Sequence, residues 1–325
     1  MAVLTFVEVA DAKVKKASLE AAAYGSKIAE TNGVESIAVV LGEAGIEELA
    51  SLGKVGVNRV LHASDARFNT FDSKAFAKAV SEAAQKVNAS IVVLSFNQNG
   101  KLLGPRLAVR LGAGYVPGAS EVPVTENGTL KVKKNVFSGK ASAIYEVTTP
   151  IKVIALSPNS YPVAKKEAVA SVEAFIPTLS DNDFSVRFIS VEKVQGSIPL
   201  TEADIVVSGG RGLKGPENWW MIEDLAKEMG AATACSRAVA DVDWRPHHEH
   251  VGQTGITVRP NLYIAVGISG AIQHLAGVNQ SKVIVVINND PEAPFFKAAD
   301  YGIVGDAFEV MPKLIEEYRK FKAAH

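Results

Sequence analysis

The sequence predicts an α/β protein of two doubly wound, Rossmann-like parallel-sheet domains, the N-terminal one with an added antiparallel edge. Short β-branched runs alternate with longer amphipathic segments in the first half of the chain and again after about residue 200. At about 150 residues per domain, 325 residues are enough for two domains with separate cores. Between the two alternating regions the pattern changes to successive strands.

The first region predicts four strands that alternate with four helices. The strands are expected at residues 3–9, 36–41, 59–62 and 90–94, and the helices at residues 17–30, 46–51, 73–87 and 100–111. Asn32, Gly33 and Gly112 are typical residues for ending a helix. The run 90–94 is almost wholly apolar, which is typical of a strand buried on both faces.

The middle of the chain, after about Gly118, predicts the antiparallel edge. Strands are expected at residues 122–132, 138–147 and 152–156, with turns at Asn127-Gly128 and Ser138-Gly139. No long helix is expected over residues 170–194. We place the domain boundary near residues 192–198, which gives an N-terminal scaffold and partner-contact domain, 1–193, and a C-terminal domain, 194–325.

The second region restarts the alternation, and its strand ends carry glycine or small polar residues. Strands are expected at residues 204–207, 231–234, 263–266, 283–287 and 301–304, and helices at residues 218–229 and 308–322 and from about Ala271. Ligands of open parallel sheets bind beyond the carboxyl ends of the strands. We therefore expect the functional site in this second domain.

The first of these strand ends, residues 210–215, reads GRGLKG and fits the G-x-G-x-x-G dinucleotide spacing. An NAD site of that type also needs an acidic residue about 20 positions later, at the end of the next strand. Ser236 and Arg237 stand there instead, which disfavours an NAD-dependent dehydrogenase. That activity stays open as an alternative, as does a simple tight turn.

The most informative segment is residues 262–277, LYIAVGISGAIQHLAG. An apolar strand leads through a Gly-x-Ser-Gly turn into a helix, and the free N–H groups of such a helix start suit a diphosphate. A second loop, residues 251–255, reads VGQTG and places side-chain donors and acceptors between two glycines. That composition favours close approach of the backbone to a planar ligand.

These segments resemble the alpha subunit of electron-transfer flavoprotein. The family's C-terminal signature matches residues 262–277 and resumes at Ile284 and Asn288. Val286 departs from it, because the family usually has alanine there, and this is a packing change in a strand. Loops at residues 211–214, 236–237, 251–255 and 290–294 also match, whereas the N-terminal half is similar mainly in the order of its elements.

The resemblance implies an electron carrier that binds one FAD in the C-terminal domain and has no catalytic or metal-binding residues of its own. It implies a heterodimer with a beta subunit, which holds AMP or a second FAD. Acyl-CoA or other flavin dehydrogenases are the implied donors, and a quinone oxidoreductase or similar protein is the implied acceptor. An electron-bifurcating complex remains an alternative, and a nucleotide-binding assembly module is an alternative of another class.

By the same resemblance, each part of FAD has its own expected contacts. Arg237 is expected against the isoalloxazine, where an arginine keeps its charge and stacks on a planar ring. His274 is expected near the pyrimidine carbonyl, and Gln253 and Thr254 at the N5/O4 edge. The ribityl-diphosphate is expected near Arg211, Ser236, Ser269, Gly270, Ala271, Ile272 and Gln273, and the adenosine half near Asn288 and Asp306. The remaining expected contacts are Val251, Gly252, Gly255, Gly267 and Ala307.

Composition excludes several classes of protein. Charges are balanced, with 34 Lys+Arg and 35 Asp+Glu, so no nucleic-acid partner is expected. One cysteine, Cys235, excludes an intrachain disulfide and is expected to be a buried small hydrophobe. No apolar run reaches the roughly 18 residues of a membrane span, and the N-terminus does not resemble a signal peptide. The expected compartment is the bacterial cytoplasm, or the mitochondrial matrix if a transit peptide has been removed.

Two further groups of residues have an ordinary structural interpretation. The run at residues 247–250, His-His-Glu-His, could suggest a metal site, but adjacent histidines usually point apart, and a solvated loop is expected. Trp219 and Trp220, on a predicted helix, are expected to pack against the core or a partner.

Overall fold

The computed structural model describes residues 1–126, 129–137, 139–164, 166–186, 188–190 and 198–324. It divides the chain into two compact units, Met1–Glu192 and Lys193–His325. The predicted turn at Asn127-Gly128 lies outside the described residues, as do Ser138 of the second turn and most of the predicted boundary stretch, 192–198. The assignment of separate roles to 1–193 and 194–325 stays a prediction.

The first unit is built on one large sheet with a small hairpin beside it. Its strands are β1 (Ala2–Val7), β4 (Glu35–Leu41), β5 (Arg59–Ala63), β6 (Ala89–Ser95), β7 (Gly114–Ala119), β8 (Val124–Glu126), β9 (Thr129–Val136), β10 (Ala141–Val147), β11 (Lys152–Leu156) and β12 (Ser171–Ala174). The hairpin is β2 (Val9–Ala10) with β3 (Lys13–Val14). The helices are α1 (Lys16–Thr31), α2 (Ile46–Ala50), α3 (Ser73–Lys86) and α4 (Gln98–Leu111).

The strand order of the large sheet is β10-β9-β7-β11-β6-β1-β4-β5-β12, with β8 paired to β9. All pairs from β7 through β12 in this order are parallel. Strand β9 pairs antiparallel with β7, β8 and β10. The predicted doubly wound sheet with an antiparallel edge is therefore confirmed.

Local sequence explains why these elements begin and end where they do. The side chain of Asp72 accepts hydrogen bonds from the N–H groups of Lys74 and Ala75, which caps α3. Gly112 ends α4 in the left-handed conformation, with φ of 59°. The central strands β1, β4 and β6 are almost entirely buried, because helices and loops cover both faces of the sheet.

Three details of the middle region differ from the prediction. Strand β11 was expected in the antiparallel edge, but it lies in the interior of the sheet, parallel to both β6 and β7. The expected strand 122–132 is two short strands, β8 and β9, that pair with each other. Strand β7 was not predicted, because Gly114, Pro117 and Gly118 are typical of loops; Gly118, with φ of 79°, accompanies a shift in its register.

Strand β1 also ends two residues earlier than predicted, because Val9 belongs to the β2–β3 hairpin and strands β1 and β2 are separated by Glu8. This buried carboxylate accepts hydrogen bonds from the amides of Asn97 and Asn99, each at 2.6 Å, and pairs with Lys15 at 3.3 Å. These groups follow β1 and β6, where the order of the sheet reverses. Protein side chains therefore fill the place where a doubly wound sheet commonly binds its ligand.

The second unit is a five-stranded, wholly parallel sheet with the order β14-β13-β15-β16-β17. The strands are β13 (Ile205–Gly209), β14 (Ala232–Cys235), β15 (Leu262–Val266), β16 (Val283–Asn288) and β17 (Tyr301–Val304). The helices are α5 (Trp220–Met229), α6 (Arg237–Ala240), α7 (Ile272–Val278) and α8 (Ala307–Ala324). The strand order reverses between β13 and β15, so a ligand crevice is expected beyond those two strand ends.

Two apolar clusters cover the strands of this second sheet. One contains Trp219, Met311 and the free Cys235, and the other contains Tyr263 and Phe295. Trp219 thus packs in the core as expected, whereas Trp220 is half exposed. Within the described part of the chain, no helix is both long enough and apolar enough to cross a membrane.

Candidate functional site

A cavity of about 580 Å³ lies at the carboxyl ends of the strands of the second unit. This volume is within the range of pockets that bind small molecules and cofactors. Its lining follows β13, β14, β15 and β16 or belongs to the loop before β15, and comprises Arg211, Gly212, Ser236, Arg237, Ala238, His250, Val251, Gly252, Gln253, Thr254, Gly267, Ile268, Ser269, Ala271, Gln273, His274, Asn288 and Asp290. The structure therefore brings together thirteen of the eighteen predicted contacts.

Two glycine loops lie in direct contact beside the cavity. Gly210 N–H donates to Val266 O at 2.9 Å, and Gly212 N–H donates to Gly267 O at 3.0 Å. A Cβ on Gly212 would lie 2.6 Å from Gly267 Cα. Gly267 has φ of 62°, a conformation that glycine adopts without strain. The first two glycines of the GRGLKG segment thus bring the loops that follow β13 and β15 into contact.

Two helix starts at the cavity offer free backbone donors. Ala271 precedes α7 and supplies no side-chain cap, and the N–H groups of Ile272 and Gln273 bond to no described residue. Ser236 precedes α6, where its hydroxyl makes no capping bond either. Exposed N–H groups and the helix dipole favour an anion at such positions.

The loop at residues 251–255 is held against α7 by main-chain contacts. Gln253 N–H donates to Gln273 O at 2.8 Å, and a Cβ on Gly277 would lie 2.5 Å from Gly252 Cα. Gly252 has φ of 155°. The side chains of Gln253 and Thr254 are exposed and therefore available to a ligand.

The charges of the cavity lining favour an anionic ligand. Arg211 is exposed and forms no ion pair with any described residue. Arg237 is exposed and pairs with Asp241 at 3.2 Å. Asp290 is the acidic residue of the lining. Two guanidinium groups near free helix N–H groups suit a diphosphate, which arginine binds through two parallel hydrogen bonds.

His274 lines the cavity, but the contacts that position its ring are with buried residues. Its Nε2 is 2.9 Å from Tyr263 Oη, and its ring packs edge-on to Phe295. Burial lowers the pKa of His274 from 6.5 to about 4, with a further contribution from His250, so the imidazole is neutral at pH 7. Nδ1 is buried and makes no hydrogen bond with a described residue. The backbone of Val251 opposes the lowering of the pKa of His274.

His250 is a cavity residue that the sequence did not predict. The expected solvated loop is correct for His247 and His248, which are exposed, but wrong for Glu249 and His250, which are buried. Glu249 pairs with Arg245 at 2.6 Å, and His250 forms a bridge to the end of β14. The sequence signal that could have indicated a lining position is that His250 directly precedes the VGQTG loop. No group of metal-ligating side chains occurs among the described residues.

Five predicted contacts do not line the cavity, namely Gly255, Gly270, Ile272, Asp306 and Ala307. Asp306 caps α8 by accepting a hydrogen bond from Phe308 N–H, and its carboxylate pairs with Lys214 at 3.7 Å. Ala307 is the first residue of α8 and is buried in the apolar cluster that contains Trp219 and Met311. Gly270 packs tightly against the backbone of Phe295, because an added Cβ there would lie 2.6 Å from Phe295 N. The predicted binding roles of all these residues stay predictions.

Asn288 lies in the cavity lining, and both ends of its amide are engaged. Its Nδ2 donates to Ile268 O at 3.0 Å, and its Oδ1 accepts from Asp290 N–H at 3.0 Å. The side chain therefore fixes the loop after β16 to the loop after β15. A contact between Asn288 and a ligand stays a prediction.

Comparison with known proteins identifies the family. A family model described as "Electron transfer flavoprotein domain" matches residues 3–180, and one described as "Electron transfer flavoprotein FAD-binding domain" matches residues 199–279. The electron transfer flavoprotein subunit alpha of Bacillus subtilis is 38% identical over 98% of this chain and 97% of its own length. The chain belongs to the electron transfer flavoprotein alpha-subunit family.

Other relatives are similar along almost the whole chain. Protein FixB of Clostridium saccharobutylicum is 34% identical over 99% of this chain and 97% of its own length. A probable mitochondrial alpha subunit from Caenorhabditis elegans is 35% identical over 96% of this chain and 92% of its own length. The resemblance deduced from the sequence is thus confirmed, and with it the assignment of FAD as the cofactor.

The residues of the cavity fit FAD. Arg211, Arg237 and the free N–H groups at the starts of α6 and α7 suit the diphosphate. The exposed amide and hydroxyl of Gln253 and Thr254 suit the polar edge of a flat ring system. The cavity and most of its lining also lie within residues 199–279, the segment matched by the family's FAD-binding domain.

Proposed function

We propose that this chain is the FAD-carrying subunit of a heterodimeric electron carrier, paired with an electron-transfer-flavoprotein beta subunit. It takes electrons from acyl-CoA or other flavin dehydrogenases and delivers them to a quinone oxidoreductase or a similar acceptor. The observation that supports this proposal best is the cavity at the strand ends, which carries Arg211 and Arg237 inside the FAD-binding segment.

Bound FAD supplies the electron-transfer chemistry, and the chain supplies binding, orientation and electrostatic tuning. Arg211, with Ser236, Ser269 and the start of α7, holds the diphosphate. An arginine side chain carries a fixed positive charge, so Arg237 would stabilise negative charge on a reduced isoalloxazine bound in this cavity.

The residues nearest the expected ring position are held by contacts within the second unit. Gln253 and Thr254 lie on a loop whose backbone is fixed to α7, so their side chains reach the ring edge from a rigid base. The neutral His274 is oriented by Tyr263 rather than by solvent. Such prior positioning reduces the reorganisation that accompanies each change of charge.

The decisive experiment is to co-purify the chain with its beta subunit and to count FAD and AMP per heterodimer. One FAD and one AMP support the simple carrier, whereas two FAD support a subunit of an electron-bifurcating complex. A heterodimer that stays colourless after FAD is added contradicts the proposal. Bleaching of the bound flavin by a reduced acyl-CoA dehydrogenase then tests the proposed donor class.

A pair of variants tests whether the diphosphate of FAD binds in this cavity. Arg211→Ala removes one of the two cavity arginines, and we expect weaker FAD retention by about 10-fold or more, because a charge-assisted hydrogen bond contributes about 1.5–3 kcal/mol. Lys227→Ala, on the surface of α5, is the matched control that removes a positive charge far from the cavity lining. Equal FAD retention by both variants would place the diphosphate elsewhere.

A further inference from the structure

The imidazole of His250 lies at the cavity with no partner for its ring nitrogens among the described residues. Its residue is 8% exposed and belongs to the cavity lining. A glycine at position 255 leaves room for the ring, because a Cβ there would be 2.8 Å from His250 Nδ1, and Gly252 lies on the other side, where a Cβ would be 3.4 Å from His250 Nε2. The ring is therefore packed against the same loop that carries Gln253 and Thr254.

The backbone on both sides of His250 is fixed, so the ring has a defined position. Val251 N–H donates to Cys235 O at 3.1 Å, and Ile256 N–H donates to His250 O at 2.8 Å. On the N-terminal side, Arg245 donates to both carboxylate oxygens of Glu249, at 2.6 and 2.8 Å. A histidine held in this way changes its charge in place when it binds a proton.

Charged and titratable groups face His250 from three elements. Arg237 and Asp241 belong to α6 and the residue after it, His247 belongs to the same segment as His250, and His274 belongs to α7. Burial lowers the pKa of His250; Asp241 opposes this, and Arg237 and His247 reinforce it. In the protein without cofactor the imidazole is therefore neutral at pH 7 and gains its proton in the acid range.

We propose that His250 is a further flavin-site residue, whose protonation couples the midpoint potential of the bound FAD to pH. The inference rests on the proposed function, because it requires FAD in this cavity. Electrons from the donor add negative charge to the cavity, and a nearby imidazole then binds a proton from solvent more tightly. The imidazole releases the same proton when the electrons leave the flavin. His250 therefore exchanges only a proton and is itself neither oxidised nor reduced.

Thermodynamic linkage fixes the sign of the effect. If added electrons raise the affinity of His250 for a proton, then protonated His250 raises the affinity of the cavity for electrons by the same factor. The midpoint potential is therefore raised at acid pH, relative to a protein with an uncharged side chain at this position. At pH values high enough for the imidazole to be neutral in both redox states, the difference vanishes.

The test compares His250→Gln with a matched control, His248→Gln, in the FAD-loaded heterodimer. Glutamine keeps polarity and approximate size but does not titrate, and His248 is an exposed residue two positions away. Midpoint potentials are measured by spectroelectrochemical titration at intervals between about pH 5 and pH 8.5. At the acid limit, the equilibrium constant for reduction is expected to be about fivefold larger or more in wild type than in His250→Gln.

Each outcome bears on one of the two proposals. Superimposable potential–pH curves for wild type and His250→Gln overturn the role of His250, as does an equal change in His248→Gln. If His250→Gln loses FAD, the ring resonances of His250 in wild type decide by NMR: they must change position and apparent pKa when FAD is added, and invariance overturns the inference. If wild type itself binds no FAD, it is the proposed function that fails.

Discussion

His274 Nε2 and Tyr263 Oη are 2.9 Å apart in the interior of the second unit, and both rings pack against Phe295. This pair joins β15 to α7, the two elements on either side of the glycine-rich turn at the cavity. A hydrogen bond between buried groups is costly to break from one side only, because the remaining group cannot reach water. The pair therefore links the stability of the unit to the shape of its cofactor site.

We expect Tyr263→Phe to lower the free energy of unfolding by about 1–3 kcal/mol, because it leaves buried His274 Nε2 without a partner. Urea denaturation of the full chain, followed by fluorescence, measures the change. Tyr301→Phe is the matched control, since Tyr301 is 67% exposed on the edge strand β17. An equal loss in both variants would mean that the hydroxyl of Tyr263 contributes nothing specific.

Stability is expected to fall between pH 6.5 and pH 4 through His274. Its pKa is about 4 when folded, below its ordinary 6.5, so the unfolded chain binds the proton more readily over this range. The stabilisation is complete above pH 6.5 and is lost as pH falls toward 4, by roughly 3 kcal/mol. Urea titrations at several pH values measure the slope.

The comparison that isolates this residue is His274→Gln against the exposed His248→Gln. We expect the first variant to have a shallower slope of stability against pH, and the second to keep the wild-type slope. His250, whose pKa is also lowered by burial, adds to the remaining slope in both variants. A slope unchanged by His274→Gln would contradict the assignment of the lowered pKa to His274.

Arg237→Ala is expected to lower the midpoint potential of the bound FAD and to weaken its binding by about 10- to 100-fold. The reason is the loss of a permanent positive charge at the cavity, one that Asp241 only partly offsets at its exposed position. Spectroelectrochemistry and equilibrium dialysis measure the two effects. Arg319→Ala, which breaks an exposed ion pair between α8 and Glu228 of α5, must leave both unchanged.

Gly270→Ala is expected to destabilise the chain by more than 1 kcal/mol and to weaken FAD binding. Gly270 has φ of 81°, and an added Cβ would lie 2.6 Å from Phe295 N, so strain and overlap add. Gly33→Ala isolates the backbone cost, because Gly33 has φ of 63° and open space around it. Gly45→Ala has neither problem, so its cost in thermal unfolding must stay below that of Gly270→Ala and reflects only the replacement of glycine by alanine at the N-cap of α2.

Asp72→Asn tests the hydrogen bonds that connect Ser185 and Val186 to the start of α3. Besides capping α3, the Asp72 carboxylate accepts hydrogen bonds from Ser185 N–H at 2.7 Å and Val186 N–H at 3.1 Å. Burial opposes its ionisation, but the N–H groups of Lys74 and Ser185 prevail and lower its pKa. We expect a loss of about 1–2 kcal/mol at pH 7.

Hydrogen exchange gives the local measurement for the same variant. The amides of Ser185 and Val186 should exchange faster in Asp72→Asn, because their shared acceptor is weakened. Asp65→Asn, which removes the carboxylate of an exposed pair with Arg67, should not change those two amides. Because the Asp72 pKa is lowered, its stabilisation is present above about pH 4 and is lost in stronger acid.

The buried parallel strands were predictable because their information is local. Runs such as that of β6 are short and apolar on both faces, and such a composition favours a strand covered on both sides. The order of strands is not local: β11 lies between β6 and β7 because of pairings that periodicity does not encode. Strand β7 was not predicted because it contains Pro117 and Gly118, which are typical of turns but also occur where a strand ends or bends.

The site was predictable as far as it depends on strand ends. Parallel strands bring their carboxyl ends to one edge, so the loops carrying Arg211, Ser236 and Gln273 converge there. Individual side chains depend on tertiary partners that sequence does not reveal. Asp306 faces Lys214 and the start of α8, and His250 is buried because its segment continues along the end of β14.

The contact between the loops after β13 and β15 consists of main chain, with Gly210 and Gly212 against Gly267. The exposed side chains of the cavity lining, which include Arg211, Gln253 and Thr254, form what we call the rim. The rim can therefore be redesigned separately from the glycine contacts that support it. Libraries that vary the rim while keeping the glycines can retune cofactor potential or preference, since the scaffold beneath does not depend on the residues being exchanged.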